Sequence, residues 1–380
     1  MSANDADIFH RFMVSLGKRR ADRTVHAGKP SESLFNGMES LARGTIASAR
    51  QHLHGLPEIH FDFTYDGEIN AIAFRSEGRY FIGVTTGAIY MIQLVLGRML
   101  SHPDLFPKIG DPTEESDKPE VLKHYRPDAQ RMAEAGSWPS RPRNVVRRAY
   151  MDHLLGQAVL FLVAHEIAHI TRGHVDYMQS QVGVPIITEM TSASASADGV
   201  IERQTIEAAA DRRAVIFGLV SIANTVGNPI AARPPWLASP PTFDDLVFDW
   251  SFVVNMIFRL FGDIRFHPSD LTTTIYPPLP LRRVMAMDLA QIILSNNPTP
   301  MTKERIIEVL RSGLTYCEEA FAAILGEPVS TEGIAEAATP AGREHHRRLT
   351  TYWVDELRDR IGPYAYERDR DEEEPKPGHH

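Results

Sequence analysis

One apolar stretch with two histidines four residues apart constrains this chain more than any other feature. His165 and His169 lie within Val145–Arg172, whose apolar residues predict one long helix that Gly173 ends. Residues four apart lie on the same side of a helix, so both imidazoles can reach one metal ion. Glu166 can take a proton from a water at that metal, which is the pattern of a zinc hydrolase. An ordinary helix with a stray histidine pair is the alternative.

A catalytic zinc site needs a third protein ligand. Two residues that follow His169 in the chain, His174 and Glu207, are candidates. His174 follows directly after Gly173, one residue too early for the extended metzincin pattern. At the end of a helix His174 is also poorly placed to share the metal, so we expect it to be structural. Glu207 lies on a separate predicted helix, residues 200–226, and is the better candidate.

Asp211 lies four residues after Glu207, so both carboxylates share one face of that helix. Glu207 can bind the metal while Asp211 reaches the free ring nitrogen of a ligand histidine and fixes its orientation. The three alanines between them allow the two helices to approach closely. The alternative is a charged helix face in which both carboxylates pair with nearby arginines, namely Arg203, Arg212 or Arg213.

The charge and cysteine content limit the partners and the compartment. Aspartate and glutamate number 49 against 40 lysines and arginines, and this surplus of acid argues against general binding of nucleic acid. Cys317 is the one cysteine, so the chain forms no internal disulfide and a reducing, cytoplasmic setting fits. The apolar stretches 214–226 and 248–261 are too short or too polar to span a membrane, so we expect no integral membrane span.

The remaining pattern predicts an α+β fold that is mainly helical, with a small antiparallel sheet beside the metal helix. Alternating apolar residues predict strands at Ile59–Tyr65, Ile69–Phe74 and Arg79–Val84, with short turns between them. Apolar residues at helical spacing predict further helices over residues 33–54, 87–100, 243–261, 302–325 and 344–361.

The metal motifs resemble those of the gluzincin metallopeptidases. Within that group they are similar to the CAAX prenyl proteases, the heat-shock membrane protease of bacteria and their soluble relatives, the minigluzincins. The resemblance rests on His165-Glu-Ile-Ala-His169 followed by Gly-His, and on Glu207-x-x-Ala-Asp211. The family also has an Asn-Ala strand and a strand that ends in a Val-Thr-x-Gly turn. This chain has Asn70-Ala-Ile-Ala, then Val84-Thr-Thr-Gly.

A later element of the family is a His-Pro pair six residues before an arginine. Here Tyr276 stands six residues before Arg282 and is followed by two prolines, so the tyrosine replaces the histidine. His267-Pro268 is a rival, but the sixth residue after His267 is Thr273, which is not basic. The resemblance spans about residues 69–290. We expect this chain to lack the membrane helices of the integral members, so the resemblance implies a soluble enzyme.

The resemblance implies a zincin-like fold and a zinc-dependent endopeptidase that acts on a protein or peptide substrate. The implied ligands of Zn²⁺ are His165, His169 and Glu207. Glu166 is the implied general base, and Tyr276 with Arg282 is expected to meet the negative charge of the tetrahedral intermediate. The implied substrate-binding strand holds an extended peptide through main-chain hydrogen bonds and consists of Asn70, Ala71, Ile72 and Ala73.

Two other functions stay open from the sequence. The first is a zinc-stabilised protein that binds peptides at the cleft edge without catalysis, against which the retained Glu166 argues. The second is a highly selective protease of stress or phage defence that cleaves one host protein. A long insertion at residues 102–143 could restrict access to such a site as a lid or an exosite.

These features divide the chain into regions. Residues 1–31 are expected to form a loosely packed N-terminal arm, and residues 32–300 the metallopeptidase domain with its 102–143 surface insertion. Residues 301–362 form a C-terminal helical segment. Residues 363–380 are acidic and contain prolines, which predicts a disordered tail.

Overall fold

In a computed structural model, the chain folds into a mainly helical α+β structure with one small sheet, which confirms the predicted class. The structure describes residues 4–53, 55–115, 121–124, 126, 131–132, 141–183, 186–188, 197–227, 241–262 and 264–367.

The strands are, in chain order, β1 (Arg19–Arg20), β2 (Ile59–Tyr65), β3 (Ala71–Ser76), β4 (Arg79–Thr85) and β5 (Ile186–Thr188). The helices of the first half are α1 (Asp5–Ser15), α2 (Pro30–His52), α3 (Thr86–Leu100), α4 (Val145–Thr171) and α5 (His174–Val182). Those of the second half are α6 (Ala197–Gly227), α7 (Phe243–Phe261), α8 (Asp270–Thr273), α9 (Leu279–Asn296), α10 (Lys303–Leu325), α11 (Glu332–Ala337), α12 (Pro340–Tyr352) and α13 (Arg358–Ile361).

Helix α4 carries both histidines and agrees with its predicted bounds to within one residue. Asn144 caps the start of this helix, because its side chain accepts hydrogen bonds from the backbone N–H groups of Val146 and Arg147. The helix ends just before Gly173, which has a φ of 76° in the left-handed region that favours glycine. By length and composition, α4 is the one helix in the described part of the chain that could cross a membrane, and 83% of its most apolar window is buried inside the fold.

The sheet has the strand order β1-β2-β4-β3-β5. Strands β3 and β4 are antiparallel, as are β1 with β2 and β3 with β5. Strands β2 and β4 are parallel, with Ile59 opposite Tyr80 and Thr64 opposite Thr85. The sheet is therefore mixed, and the prediction of an antiparallel sheet is wrong for the β2–β4 pair.

Strands β2 and β4 pair in parallel because the segment that connects β2 to β3 crosses over the end of β4. The carbonyl of Asp66 accepts a hydrogen bond from the backbone N–H of Gly87 at 2.8 Å, and the Thr85 hydroxyl donates to the carbonyl of Glu68 at 2.6 Å. This segment is thereby held against the start of α3, so β3 pairs with the far side of β4. A Cβ at position 87 would lie 2.3 Å from Gly67, so glycine permits the close approach.

Alternate residues of the sheet face two different layers. Ala71 and Ala73 of β3 face the main core, where α2, α3 and α4 pack on the sheet. Ile72 and Phe74 face the other way and pack with the buried Phe9 of α1. Residues 5–15 are therefore a packed layer, and the expectation of a loosely packed arm is wrong for them.

The described residues of the 102–143 insertion include a segment that packs at the start of α4. The buried guanidinium of Arg147 donates hydrogen bonds to five backbone carbonyls, those of Leu100, His102, Leu105, Phe106 and Ile109. With a rise of 1.5 Å per residue, Arg147 lies about 27 Å along the helix from His165. Residues 102–109 therefore cover the opposite end of α4 from the histidines and form no lid over them.

A C-terminal segment lies over the other end of α4. The backbone N–H groups of Tyr366 and Glu367 donate to the carbonyl of Thr171 at 2.8 and 3.0 Å. Glu367 also forms an ion pair with Arg213 on α6. Residues 363–367 are thus ordered, which corrects the start of the predicted disordered tail, and the rest of that tail lies outside the described residues.

Candidate metal centre

Helices α4 and α6 bring the three predicted metal ligands together. His165 and His169 project from adjacent turns of α4, and Glu207 faces them from α6. Ala210 of α6 is fully buried, and its small side chain lets the two helices pack closely at this level. The sequence prediction that these three residues share one site is confirmed in position, as a group that could hold a metal ion.

The distances between the three groups fit a small metal ion. The Nε2 atoms of His165 and His169 are 2.9 Å apart. Glu207 oxygens lie 3.4 Å from Nε2 of His165 and 3.8 Å from Nε2 of His169. A tetrahedral ion with bonds of about 2.0–2.1 Å separates its ligand atoms by about 3.3 Å, which these values bracket. All three side chains are buried, with exposed fractions of 1–3%.

Asp211 lies behind His165, as predicted for the residue that orients a ligand histidine. Its Oδ1 is 3.0 Å from Nδ1 of His165, and its two oxygens accept hydrogen bonds from Nε and Nη2 of Arg282 at 2.7 and 2.8 Å. Burial raises the pKa of Asp211, but Arg282 and His165 outweigh burial and lower that pKa to about 2. Asp211 is therefore a carboxylate that can only accept, and the proton of neutral His165 belongs on Nδ1.

His169 has a different partner behind it, which the sequence reasoning missed. Nδ1 of His174 lies 3.1 Å from Nδ1 of His169, and His174 has no exposed surface. The left-handed turn at Gly173 starts α5 so that its first residue reaches back to α4. The only sequence signal was a glycine directly before a histidine at the predicted end of a helix.

The proton positions make the facing atoms acceptors. Burial lowers the pKa of both His169 and His174 well below the ordinary histidine value, so both rings are neutral. With the proton of His165 on Nδ1, its Nε2 presents a lone pair to Glu207 and His169. If His169 also carries its proton on Nδ1, three acceptors converge with no donor among them. Such an arrangement is stable when a cation lies between the acceptors.

Glu166 lies on α4 between the two ligand histidines, and its side chain is 1% exposed. Glu166 directly follows His165 in the chain and is not one of the three converging groups. Its role as a general base stays a prediction.

The two residues predicted to meet developing negative charge lie in different surroundings. Two of the guanidinium nitrogens of Arg282 bind Asp211, and its carbon lies 4.9 Å from the centre of the Phe258 ring. These contacts make Arg282 a residue that positions Asp211. Tyr276 is half-buried, and its backbone carbonyl accepts hydrogen bonds from Thr274 at 2.7 Å and Gln204 at 3.4 Å. The catalytic roles of Tyr276 and Arg282 stay predictions.

The strand predicted to bind an extended substrate already has a partner on its outer side. Strand β5 pairs antiparallel with β3, with Thr188 opposite Ile72 and Ile187 opposite Ala73. The other side of β3 pairs with β4 from Ala71 to Ser76. In this conformation the chain supplies its own strand beside Ile72 and Ala73. Main-chain binding of a peptide at these residues stays a prediction. Asn70 and Ala71 lie before Ile72, the residue at which the described pairing of β3 with β5 begins.

Comparison of the chain with protein families, curated proteins and solved structures finds no match. The resemblance to the gluzincins therefore stays a prediction from sequence motifs. The geometry of His165, His169, Glu207 and their partners is independent support for a metal site.

Proposed function

We propose that this chain is a zinc-dependent endopeptidase of the gluzincin type, with a zincin-like fold around α4. One observation carries the proposal: acceptor groups of His165, His169 and Glu207 converge in a buried site beside Glu166. A metal that only stabilised the fold would have no use for a buried carboxylate between two of its ligands. The reaction class that uses this set of groups is hydrolysis by an activated water.

The donor set favours zinc over other divalent ions. Two imidazoles and one carboxylate are a common catalytic zinc set, which leaves the fourth position to water. Magnesium and calcium prefer oxygen ligands alone, so a site with two histidine nitrogens fits them poorly. When bound, zinc supplies Lewis acidity that lowers the pKa of a water and polarises a peptide carbonyl.

The residues of the chain then have distinct roles in the proposed reaction. Glu166 takes a proton from the attacking water and delivers it to the leaving amine. The Arg282–Asp211 pair holds His165 with its proton on Nδ1, so that Nε2 stays available. The Tyr276 hydroxyl donates a hydrogen bond to the negative oxygen of the tetrahedral intermediate, while Gln204 holds its backbone in place.

The test compares the wild-type protein with Glu166→Gln and Glu207→Ala. Each is incubated with a mixture of denatured proteins, with and without chelator, and new N-termini and bound zinc are measured. We expect chelator-sensitive cleavage by the wild type, zinc without cleavage for Glu166→Gln, and loss of zinc for Glu207→Ala. Unchanged cleavage by Glu166→Gln would remove the general-base role. Peptide binding without cleavage by the wild type would favour the peptide-binding alternative.

The burial of the centre favours a restricted form of this activity. His165, Glu166 and His169 are each 1% exposed, and β5 occupies the outer side of β3. A peptide therefore reaches the site only after the protein rearranges, and a specific target can supply the binding energy for that change. A selective protease that cleaves one host protein has this property. Mapping of new N-termini in native cell extract tests it, because a general protease yields many products and a selective one yields few.

A further inference from the structure

His174 is buried next to the metal centre, and the proposed reaction gives this residue no role. Its Nδ1 lies 3.1 Å from Nδ1 of His169, a distance at which one of the two nitrogens carries a proton and the other accepts it. Both rings are fully enclosed, with 0–1% exposure, so solvent does not satisfy either nitrogen. The pair is therefore a fixed contact inside the fold.

The direction of this hydrogen bond follows from the position of the metal. Nε2 of His169 faces His165 and Glu207, so that atom must present a lone pair to a bound ion. The proton of neutral His169 then belongs on Nδ1, which donates to Nδ1 of His174. The proton of His174 must in turn lie on Nε2.

The surroundings of His174 admit a proton on Nε2. That nitrogen is buried and has no hydrogen-bond partner among the described residues. The ring of Trp353 lies with its centre 6.1 Å from that of His174, at an interplanar angle of 82°. In such an edge-to-face pair an N–H group can be directed at the π face of the other ring.

We propose that His174 is a positioning residue that holds His169 in the Nδ1–H tautomer and so presents Nε2 to the metal, an inference that rests on the proposed metal centre. The two ligand histidines are then held by different chemistry. His165 has a carboxylate behind it, and His169 has a neutral imidazole. A carboxylate raises the basicity of its histidine more than a neutral acceptor does, so His165 is the stronger donor to the metal.

Two substitutions separate the hydrogen bond from the packing of the ring. His174→Phe keeps a ring of similar size but removes the acceptor. His174→Asn places an amide oxygen close to the position of Nδ1, although it fills less space. Zinc affinity is measured for both by competition with a chromophoric chelator, and circular dichroism checks the fold.

We expect His174→Phe to weaken zinc binding about 10- to 100-fold, the usual effect of losing a partner of a ligand histidine, and His174→Asn to recover most of the affinity. Equal affinity of His174→Phe and the wild type overturns the proposal. Equal losses in both variants also overturn it, because the ring's packing and not its acceptor then matters.

A second measurement uses the wild type alone and does not depend on the folding of any variant. Nitrogen-15 spectra of histidine-labelled, zinc-loaded protein report which ring nitrogen carries each proton. We expect His169 protonated on Nδ1 and His174 on Nε2, and the reverse tautomer of His174 overturns the proposal. A wild type that binds no zinc overturns the metal centre as well, whereas a zinc-loaded protein that cleaves nothing removes the peptidase and leaves the role of His174 standing.

Discussion

Oδ1 of Asp211 lies 3.0 Å from Nδ1 of His165, and the same carboxylate accepts two hydrogen bonds from Arg282. Asp211 and Arg282 are 5% and 2% exposed, so this is an ion pair taken almost entirely out of water. A buried ion pair contributes little net stability when intact, but its disruption is costly. The pair thus ties the orientation of His165, a proposed metal ligand, to the packing of α9 against α6.

The first prediction concerns this pair. Asp211→Ala will lower the free energy of unfolding of the metal-free protein by about 3–5 kcal/mol, because the Arg282 guanidinium loses its buried carboxylate. Asp211→Asn keeps an acceptor toward His165, and we expect it to weaken zinc binding by about 10- to 100-fold. Urea unfolding and chelator competition measure the two effects.

The double variant Asp211→Ala with Arg282→Met is the control. It removes both charges and keeps an apolar chain in the space of the arginine, so it should recover part of the lost stability. If the double variant is as unstable as Asp211→Ala alone, the loss comes from packing and not from a buried charge.

The second prediction concerns the turn that positions His174. Gly173 has a φ of 76°, and a Cβ there would lie 2.5 Å from the carbonyl carbon of Tyr364. A left-handed conformation alone costs an alanine about 1–2 kcal/mol. Because of the added contact, Gly173→Ala will lower the free energy of unfolding by more than this. Thermal unfolding at constant zinc concentration measures the effect.

Gly183 provides a matched control for this change. It has a φ of 70°, but a Cβ there would meet no atom within 4 Å. Gly183→Ala carries the conformational cost alone, so the difference between the two variants reports the contact with the C-terminal segment. Equal losses of stability would mean that residues 364–365 move aside freely.

The sequence was sufficient where the signal is local and periodic. Strand β2 and helix α7 have the predicted bounds, Ile59–Tyr65 and Phe243–Phe261, because each is a long run of regularly spaced apolar residues. Strands β1 and β5 have two and three residues, too few for a period to be visible. The parallel pairing of β2 with β4 depends on hydrogen bonds of the crossing segment, which no alternation of residues predicts.

The same distinction applies to the metal centre. Spacings of four residues placed His165 with His169 and Glu207 with Asp211, because that spacing is the geometry of a helix. The bond between Asp211 and Arg282 joins residues 71 positions apart, and the contact of His169 with His174 depends on one left-handed turn. Neither contact has a periodic signal. The sequence therefore predicted a structural role for His174 without its partner, and a catalytic role for Arg282 without its bond to Asp211.

The third prediction is a loss of stability in mild acid that depends on His345. Its Nε2 lies 2.6 Å from Oε1 of Gln204, and burial, together with Arg348 and His346, lowers its pKa from 6.5 to about 4. Because the folded pKa is the lower one, the unfolded chain binds the proton first as the pH falls. The contribution is complete above about pH 6.5 and is lost as the pH falls to about 4, by about 3 kcal/mol at most.

His345→Gln tests this dependence, because the amide nitrogen can donate to Gln204 without titrating. We expect this variant to lose less stability than the wild type between pH 7 and pH 5, measured by urea unfolding. His10, an exposed histidine on α1, supplies the control variant His10→Gln. If both variants have the wild-type pH dependence, His345 is not the group responsible.

The last prediction uses the burial of the centre and needs no substrate. Because the three ligands are only 1–3% exposed, a chelator reaches the metal only when the protein opens. The rate of zinc loss should therefore become independent of chelator concentration once the chelator is in large excess. A rate that rises in proportion to chelator at every concentration would contradict a closed site.

Glu367→Gln weakens the ion pair with Arg213 that holds the C-terminal segment across α4, and should raise the limiting rate up to about fivefold. Glu77→Gln removes an exposed ion pair to Arg11 on α1 and should leave that rate unchanged.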